Sequence, residues 1–189
     1  MRRAAFVLVL VLVGAACSSG GGGASPDDQP SAGSVDEGTA GLTLTSTAFV
    51  DGGTIPDLYA PPPVGDDTSP PLEWGGVPDG APQLAVTVVD PDAGGFVHWI
   101  MAGLDPTSGG LGEGEVPTGA IQATNDAGEV GWFGPAPPTG ESHNYVFTLH
   151  VLGTDPVITE GMAAAEALAA VEAATTSQAT LTGTFTAVE

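Results

Sequence analysis

The sequence predicts an all-β protein built from antiparallel sheets in a sandwich, with one helix near the C-terminus. Apolar side chains recur at every second position along residues 84–90, 143–152 and 180–186, which is the period of a strand. The chain of 189 residues contains Gly 29 and Pro 17, and these cluster between the alternating runs. Such clusters indicate long loops between strands. The Ala-rich segment at about 162–175 predicts the single helix, with Ala165, Leu168 and Val171 on its apolar side.

The first 16 residues have the pattern of a signal peptide. Arg2 and Arg3 precede an apolar run over residues 4–13, which is short for a membrane span. The lone cysteine, Cys17, follows the small residues of the expected cleavage site and resembles the lipidated cysteine of a bacterial lipoprotein, although Gly14 stands where an aliphatic residue is usual. We therefore expect an exported protein held on the cell membrane, facing away from the cytoplasm. The alternative is simple secretion.

Residues 17–41 separate this signal from the folded part of the chain. They consist mainly of Gly, Ser, Pro, Asp and Ala with almost no large apolar side chain, a composition that cannot bury enough surface to order itself. We expect a disordered tether here. The composition changes at Leu42, so the sequence predicts a single domain over residues 42–189.

The charge of the chain excludes one class of function. Lys+Arg 2 stand against Asp+Glu 23, and both basic residues precede position 4. Binding to nucleic acid depends on Lys and Arg that neutralise phosphates, so no nucleic-acid partner is expected. One cysteine also allows no internal disulfide and no cysteine-rich zinc site. We expect no cofactor and no resident metal.

Three polar side chains lie at the ends of apolar strand faces. Asp90 shares a face with Val88, and His143 shares a face with Tyr145. By the same alternation, His98 shares a face with two further residues, Ile100 and Ala102. A buried polar group needs a hydrogen-bond partner. If the three strand ends converge, they form a pocket with one acid, two imidazoles and a phenol on apolar walls; otherwise each histidine is a hydrogen-bonded structural residue.

Four motifs follow each other along the chain. They are STAFVDGGTIPDLY at 46–59, GDDTSPPLEW at 65–74, DPDAGGFVHW at 90–99 and NDAGEVGWFGPAPPTGESHNYVF at 125–147. Together they resemble the phosphatidylethanolamine-binding protein (PEBP) family, in its bacterial Raf-kinase-inhibitor-like branch, over about residues 42–185. The resemblance implies an all-β fold with a C-terminal helix, and a small pocket that accepts phosphate or a phospholipid headgroup.

The resemblance also implies which residues bind the ligand. The family has four binding motifs, which are an acidic motif, a histidine, a glycine-proline loop that falls on residues 131–138 here, and an HxY strand. Matched to this sequence, they imply seven ligand-binding residues: Asp90, Asp92, His98, Gly134, Pro135, His143 and Tyr145. The departures surround this set. Gly94 replaces a proline, Trp132 and Phe133 replace Tyr-Gly, Ala136 stands where cysteine is common, and Asn144 stands where arginine is common.

The expected function is therefore binding rather than catalysis. Backbone N–H groups of residues 128–134 and the imidazoles of His98 and His143 are expected to hold a phosphate-sized anion. Asp90 or Asp92 would pair with an ammonium, which favours a phosphoethanolamine-like ligand over inorganic phosphate. Two alternatives remain: an inhibitor or envelope protein that acts through its surface on an unknown protein partner, and a metal-dependent hydrolase that uses Asp90, His98 and His143.

Overall fold

Two β-sheets and one helix make up the part of the chain that the structure describes. This computed structural model describes residues 41–155 and 158–188, so the predicted signal peptide, Cys17 and nearly all of the predicted tether lie outside it. Its elements are β1 (Thr43–Thr45), β2 (Gly53–Thr54), a 3-10 turn (Asp57–Tyr59), β3 (Leu72–Gly75), β4 (Gln83–Asp90), β5 (Phe96–Leu104), β6 (Gly110–Leu111), β7 (Ile121–Gln122), β8 (Ser142–Leu152), α1 (Ala164–Ala174) and β9 (Thr175–Thr186).

The larger sheet has the strand order β2-β9-β8-β4-β5-β7, and the smaller one has the order β1-β3-β6. Strands β4, β5, β8 and β9 pair antiparallel, as the sequence predicts. The short edge strand β2 instead pairs parallel with β9. More than a hundred residues separate these two strands along the chain, so the long connection that parallel pairing requires is already present.

The core is divided between the two faces of the larger sheet. The inter-sheet core lies between the two sheets and includes Trp74, Val86 and Phe147. The helix-side core lies on the opposite face and includes Ala102 and Val171. Central strands of the larger sheet are therefore buried on both faces, which explains why the run at 84–90 is nearly continuous in apolar residues.

Helix α1 covers the second face of the larger sheet. It buries Ala164, Ala167 and Val171, whereas Ala165 is exposed and Leu168 is only partly buried. The predicted apolar side was therefore correct at Val171 but wrong by one position at Ala165 and Leu168, because small alanines occur all round the helix and do not mark a face. Within residues 41–155 and 158–188, no helix is long and apolar enough to span a membrane.

One histidine is buried between the larger sheet and α1. The Nε2 atom of His150 lies 3.0 Å from the hydroxyl of Thr87, and its Nδ1 atom lies 3.0 Å from the hydroxyl of Thr175. Thr175 donates its own proton to the carbonyl of Val171 at 2.7 Å. Neutral His150 thus donates to Thr175 and accepts from Thr87. Burial lowers the pKa of His150 to about 4 because the charged imidazole loses its hydration.

Candidate functional site

A cavity of about 520 Å³ opens where β4 ends and where β5 and β8 begin. Because β4 pairs antiparallel with both β5 and β8, these three strand termini lie side by side at one end of the larger sheet. Its walls combine carboxylates, two imidazoles, aromatic rings and prolines: Asp90, Asp92, Ala93, Phe96, His98, Ala127, Phe133, Ala136, Pro137, Pro138, Glu141, His143 and Tyr145. The cavity has the size and the mostly apolar lining of a small-molecule site.

Asp90 organises the floor of the cavity. It is the last residue of β4 and only 2% exposed, and the proline that follows ends the strand. One of its oxygens accepts the backbone N–H groups of Asp92 at 2.8 Å and Ala93 at 3.0 Å, which closes a tight turn. The other oxygen accepts from Nδ1 of His143 at 2.8 Å. The buried carboxylate is thereby fully hydrogen-bonded.

His143 is the imidazole of the cavity that contacts two carboxylates. It lies on β8, is 8% exposed, and has Asp90 on Nδ1 and the carboxylate of Glu141 at 3.4 Å from Nε2. The hydrogen bond that Nδ1–H donates to Asp90 raises the pKa of His143 above its ordinary value, against the opposing effect of desolvation. When His143 is protonated, its Nε2–H faces the carboxylate of the exposed Glu141.

A β-bulge in β5 determines where His98 lies. Val88 of β4 pairs with Trp99, but the next residue, Val89, pairs with Val97. His98 is therefore the extra residue, opposed by no residue of β4. A bulge of this kind bends the strand and re-aims the side chains beside it.

The bulge moves His98 to the inter-sheet side of the larger sheet. Its ring lies edge-on to Tyr145, with the ring centroids 5.0 Å apart, and Tyr145 belongs to the inter-sheet core. Ile100 and Ala102 belong to the helix-side core. The expectation that His98 shares a face with Ile100 and Ala102 was therefore wrong, because the extra residue reverses the alternation.

His98 lies among aromatic rings. Phe96 and Phe133 have ring centroids 4.8 Å and 5.7 Å from its own. Its Nδ1 atom lies 2.7 Å from the carbonyl oxygen of Phe133, to which it donates. Burial lowers the pKa of His98, so the ring is neutral at pH 7 and its Nε2 atom is a hydrogen-bond acceptor. The pKa values of the two imidazoles of the cavity are thus shifted in opposite directions.

Tyr145 and Asp92 complete the polar lining. The hydroxyl of Tyr145 is buried and has no hydrogen-bond partner among the residues that the structure describes. Burial and the charge of Asp90 raise the pKa of Tyr145, so it is a neutral donor. Asp92 is exposed, and one of its oxygens accepts the backbone and side-chain N–H groups of Asn144, both at 2.8 Å. These two bonds hold the pKa of Asp92 below its usual range.

Four N–H groups of the glycine-proline loop donate to acceptors within the protein. The N–H groups of Gly128, Gly131 and Phe133 donate to backbone carbonyls, and the N–H of Gly134 donates to Asp67 at 2.7 Å. The expectation that backbone N–H groups of residues 128–134 hold an anion stays a prediction, and these four donors already have partners. Gly134 and Pro135 are buried but do not line the cavity; Ala136 and the prolines after it do.

The comparisons with known proteins bear on the whole domain. A family model described as phosphatidylethanolamine-binding protein matches residues 45–186, which include every element that lines the cavity. The chain belongs to the phosphatidylethanolamine-binding protein family. The resemblance that the four motifs carry is thereby confirmed, and so is the all-β fold.

Relatives of the PEBP family align over most of the chain. A Mycobacterium tuberculosis protein named "Putative lipoprotein LppC" is 39% identical over 190 residues, covering 96% of this chain and 93% of its own. A solved structure of Escherichia coli YbcL, described as a member of the mammalian PEBP family, superposes with a TM-score of 0.72 at 30% identity, covering 78% of this chain and 99% of its own. The PEBP homologue CT736 of Chlamydia trachomatis superposes with a TM-score of 0.68 at 35% identity, covering 76% and 96%.

Several residues that line the cavity were not identified by matching the family motifs to the sequence. Phe96, Phe133 and Glu141 line the cavity although sequence reasoning assigned them no role. Glu141 sits two residues before His143 on the loop that enters β8, a spacing that places both at one strand end. Phe96 sits two residues before His98, and only the bulge brings both rings together. The spacing of Glu141 and His143 can be recognised in the sequence, whereas the bulge that brings Phe96 to His98 cannot.

The three residues of the metal-site alternative, Asp90, His98 and His143, are engaged in hydrogen bonds within the protein. Among residues 41–155 and 158–188, no group of three His, Cys, Asp or Glu side chains is arranged to hold a metal ion. Asp90 and His143 are bonded to each other, and Nδ1 of His98 is bonded to a carbonyl.

Proposed function

We propose that this PEBP-family protein binds a small phosphate-bearing ligand with an ammonium group, such as a phosphoethanolamine headgroup, in the cavity beside Asp90. The observation that carries the proposal is the charge of the lining. Three carboxylates (Asp90, Asp92 and Glu141) stand beside two imidazoles in the lining, and both arginines of the chain precede position 4. The carboxylates would repel a free phosphate dianion, whereas they would attract the ammonium of phosphoethanolamine.

The two ends of such a ligand would meet different residues. Protonated His143 offers its Nε2–H to a phosphate oxygen, a charge-assisted hydrogen bond. Asp92 and Glu141 attract the ammonium, and the faces of Phe96 and Phe133 provide aromatic walls beside it. Screening over about 8 Å at physiological salt limits repulsion to these nearby carboxylates, so the selectivity is local.

Calorimetric titration tests this binding. At pH 7 we expect phosphoethanolamine to bind at least about tenfold more tightly than inorganic phosphate, because one additional charge-assisted contact is worth roughly that factor. His143→Gln should weaken phosphoethanolamine binding by a similar factor. Asp105→Asn, which removes a carboxylate that accepts the backbone N–H and the hydroxyl of Thr107 outside the cavity, is the matched control. Equal affinity for the two ligands, or equal affinity in both variants, would contradict the proposal.

The same titration has a pH dependence. The pKa of His143 is raised above its ordinary value, so its protonated form is lost as the pH rises through that folded-state value. Affinity for phosphoethanolamine should therefore fall as the pH rises above about 6.5. The His143→Gln variant should show no such fall.

We further propose that the protein is exported and lipid-anchored through Cys17. The charged start, the apolar run at 4–13 and the cysteine after small residues support this, as does the name of the mycobacterial relative, a lipoprotein. In an intact bacterial host, Cys17→Ser should move the protein from the membrane fraction to the soluble fraction. Unchanged detergent partitioning in the variant would reject the anchor and favour simple secretion.

A further inference from the structure

One peptide group connects the cavity to a carboxylate outside its lining. The carbonyl oxygen of Phe133 accepts from Nδ1 of His98 at 2.7 Å. The N–H of Gly134, which belongs to the same peptide unit, donates to Oδ1 of Asp67 at 2.7 Å. His98 and Asp67 are therefore bonded to the two ends of one amide.

The position of Asp67 is tightly defined. Its backbone adopts a φ of 54°, a left-handed conformation that few residue types accept, and its N–H donates to the carbonyl of Ala60 at 3.0 Å. Gly134 packs so closely that an added Cβ would lie 2.1 Å from the carbonyl oxygen of Tyr59 and 3.0 Å from Oδ1 of Asp67. The Phe133–Gly134 peptide is thus hydrogen-bonded at both ends and closely packed at Gly134.

This arrangement polarises the peptide. A carboxylate that accepts from an amide N–H draws electron density toward the carbonyl oxygen of the same amide, so hydrogen bonds in a chain strengthen each other. The Phe133 carbonyl becomes a better acceptor for the Nδ1–H of His98. The proton of the neutral imidazole is then held on Nδ1, and Nε2 remains an acceptor.

We propose that Asp67 is a positioning residue that acts through the Phe133–Gly134 peptide to fix the Nδ1–H tautomer of His98. The cavity then offers a hydrogen-bond acceptor to its ligand, and it selects a ligand with an N–H or O–H donor. The statement about ligand selection, the ligand half of the inference, rests on the proposed function, in which the donor is the ammonium. The statement about the tautomer of His98, the tautomer half, does not depend on the proposed function.

Nitrogen-15 NMR of the histidine rings in the ligand-free full chain tests the tautomer. At pH 7.5 His98 is neutral, and the carboxylates that face it, Asp90 and Asp126, are both present in every variant. We expect wild-type His98 to be predominantly Nδ1–H. Asp67→Gly, which tolerates the positive φ but removes the acceptor, should raise the ratio of Nε2–H to Nδ1–H by roughly fivefold, the factor typical of losing one hydrogen bond.

Two further variants separate this role from a merely structural one. Asp67→Asn keeps an oxygen acceptor and a residue that accepts left-handed backbone, so His98 should remain mostly Nδ1–H with its N–H proton resonance shifted upfield. Asp66→Asn removes the neighbouring charge from the same loop and should change neither signal. A wild-type His98 in the Nε2–H form would overturn the inference. So would an unchanged proton resonance in Asp67→Asn, which is decisive even if Asp67→Gly does not fold.

Titration of the same variants tests the ligand half. Asp67→Gly should lower the ratio of phosphoethanolamine affinity to inorganic phosphate affinity by about fivefold, while Asp66→Asn leaves that ratio unchanged. If the tautomer of His98 shifts but the ratio of the two affinities does not change, His98 is not the hydrogen-bond acceptor that selects the ligand. If wild-type protein binds neither phosphoethanolamine nor phosphate, the proposed function fails, and the NMR result still decides the tautomer.

Discussion

Replacing Asp90 with alanine is expected to lower the free energy of unfolding by about 3 kcal/mol, because it leaves buried donors without an acceptor. Asp90 accepts two backbone N–H groups and the Nδ1–H of His143, all within 3.0 Å. Water cannot replace these bonds readily at a side chain that is 2% exposed. Urea unfolding monitored by tryptophan fluorescence measures the change.

Two other variants show whether the buried acceptor is responsible. Asp92→Ala removes an exposed carboxylate of the same turn and should cost less than about 1 kcal/mol. Asp90→Asn keeps an oxygen for the two backbone donors but opposes the Nδ1–H of His143 with an amide group, so its loss should be intermediate. A similar loss in Asp90→Ala and Asp92→Ala would show that burial of the acceptor is unimportant. The Asp90→Ala variant should also lower the pKa of His143, which loses its principal partner.

Acid should destabilise the protein through His150, with an effect of comparable size. The folded state keeps this imidazole neutral down to a pKa of about 4, whereas the unfolded chain takes up the proton near pH 6.5. Stability is therefore lost as the pH falls from about 6.5 to about 4, by roughly 3 kcal/mol at most. Comparing unfolding free energies of wild type and His150→Gln at pH 7.5 and pH 4 isolates this contribution, since the carboxylates are common to both proteins.

His143 provides a control of opposite sign. Its pKa is raised, so its contribution to stability is present below pH 6.5 and disappears as the pH rises through the folded-state value. The His143→Gln variant should thus lose stability relative to wild type mainly at low pH, where His150→Gln gains it. Parallel changes in the two variants would mean that general charge repulsion, rather than the individual imidazoles, governs the acid response.

Sequence patterns were sufficient to predict the fold and the strand face of His143 and Tyr145, but not the position of His98. The shared face of His143 and Tyr145 follows from unbroken alternation in β8, and the motif order identifies the family. The position of His98 did not follow, because a bulge leaves no mark in a run where both faces are apolar. The use of the Gly134 N–H did not follow either, since its acceptor, Asp67, is distant in sequence and the contact depends on how two loops pack.

The bulge in β5 also means that chain length, and not only residue identity, specifies this site. Deleting Val97 while His98 is kept would restore regular pairing with β4 and turn the imidazole toward the face of the sheet that α1 covers. Homologues that carry the same histidine but differ by one residue here would present different chemistry at the strand end. A single-residue deletion in the bulge of β5 would therefore be a direct evolutionary route to removing the imidazole from the cavity.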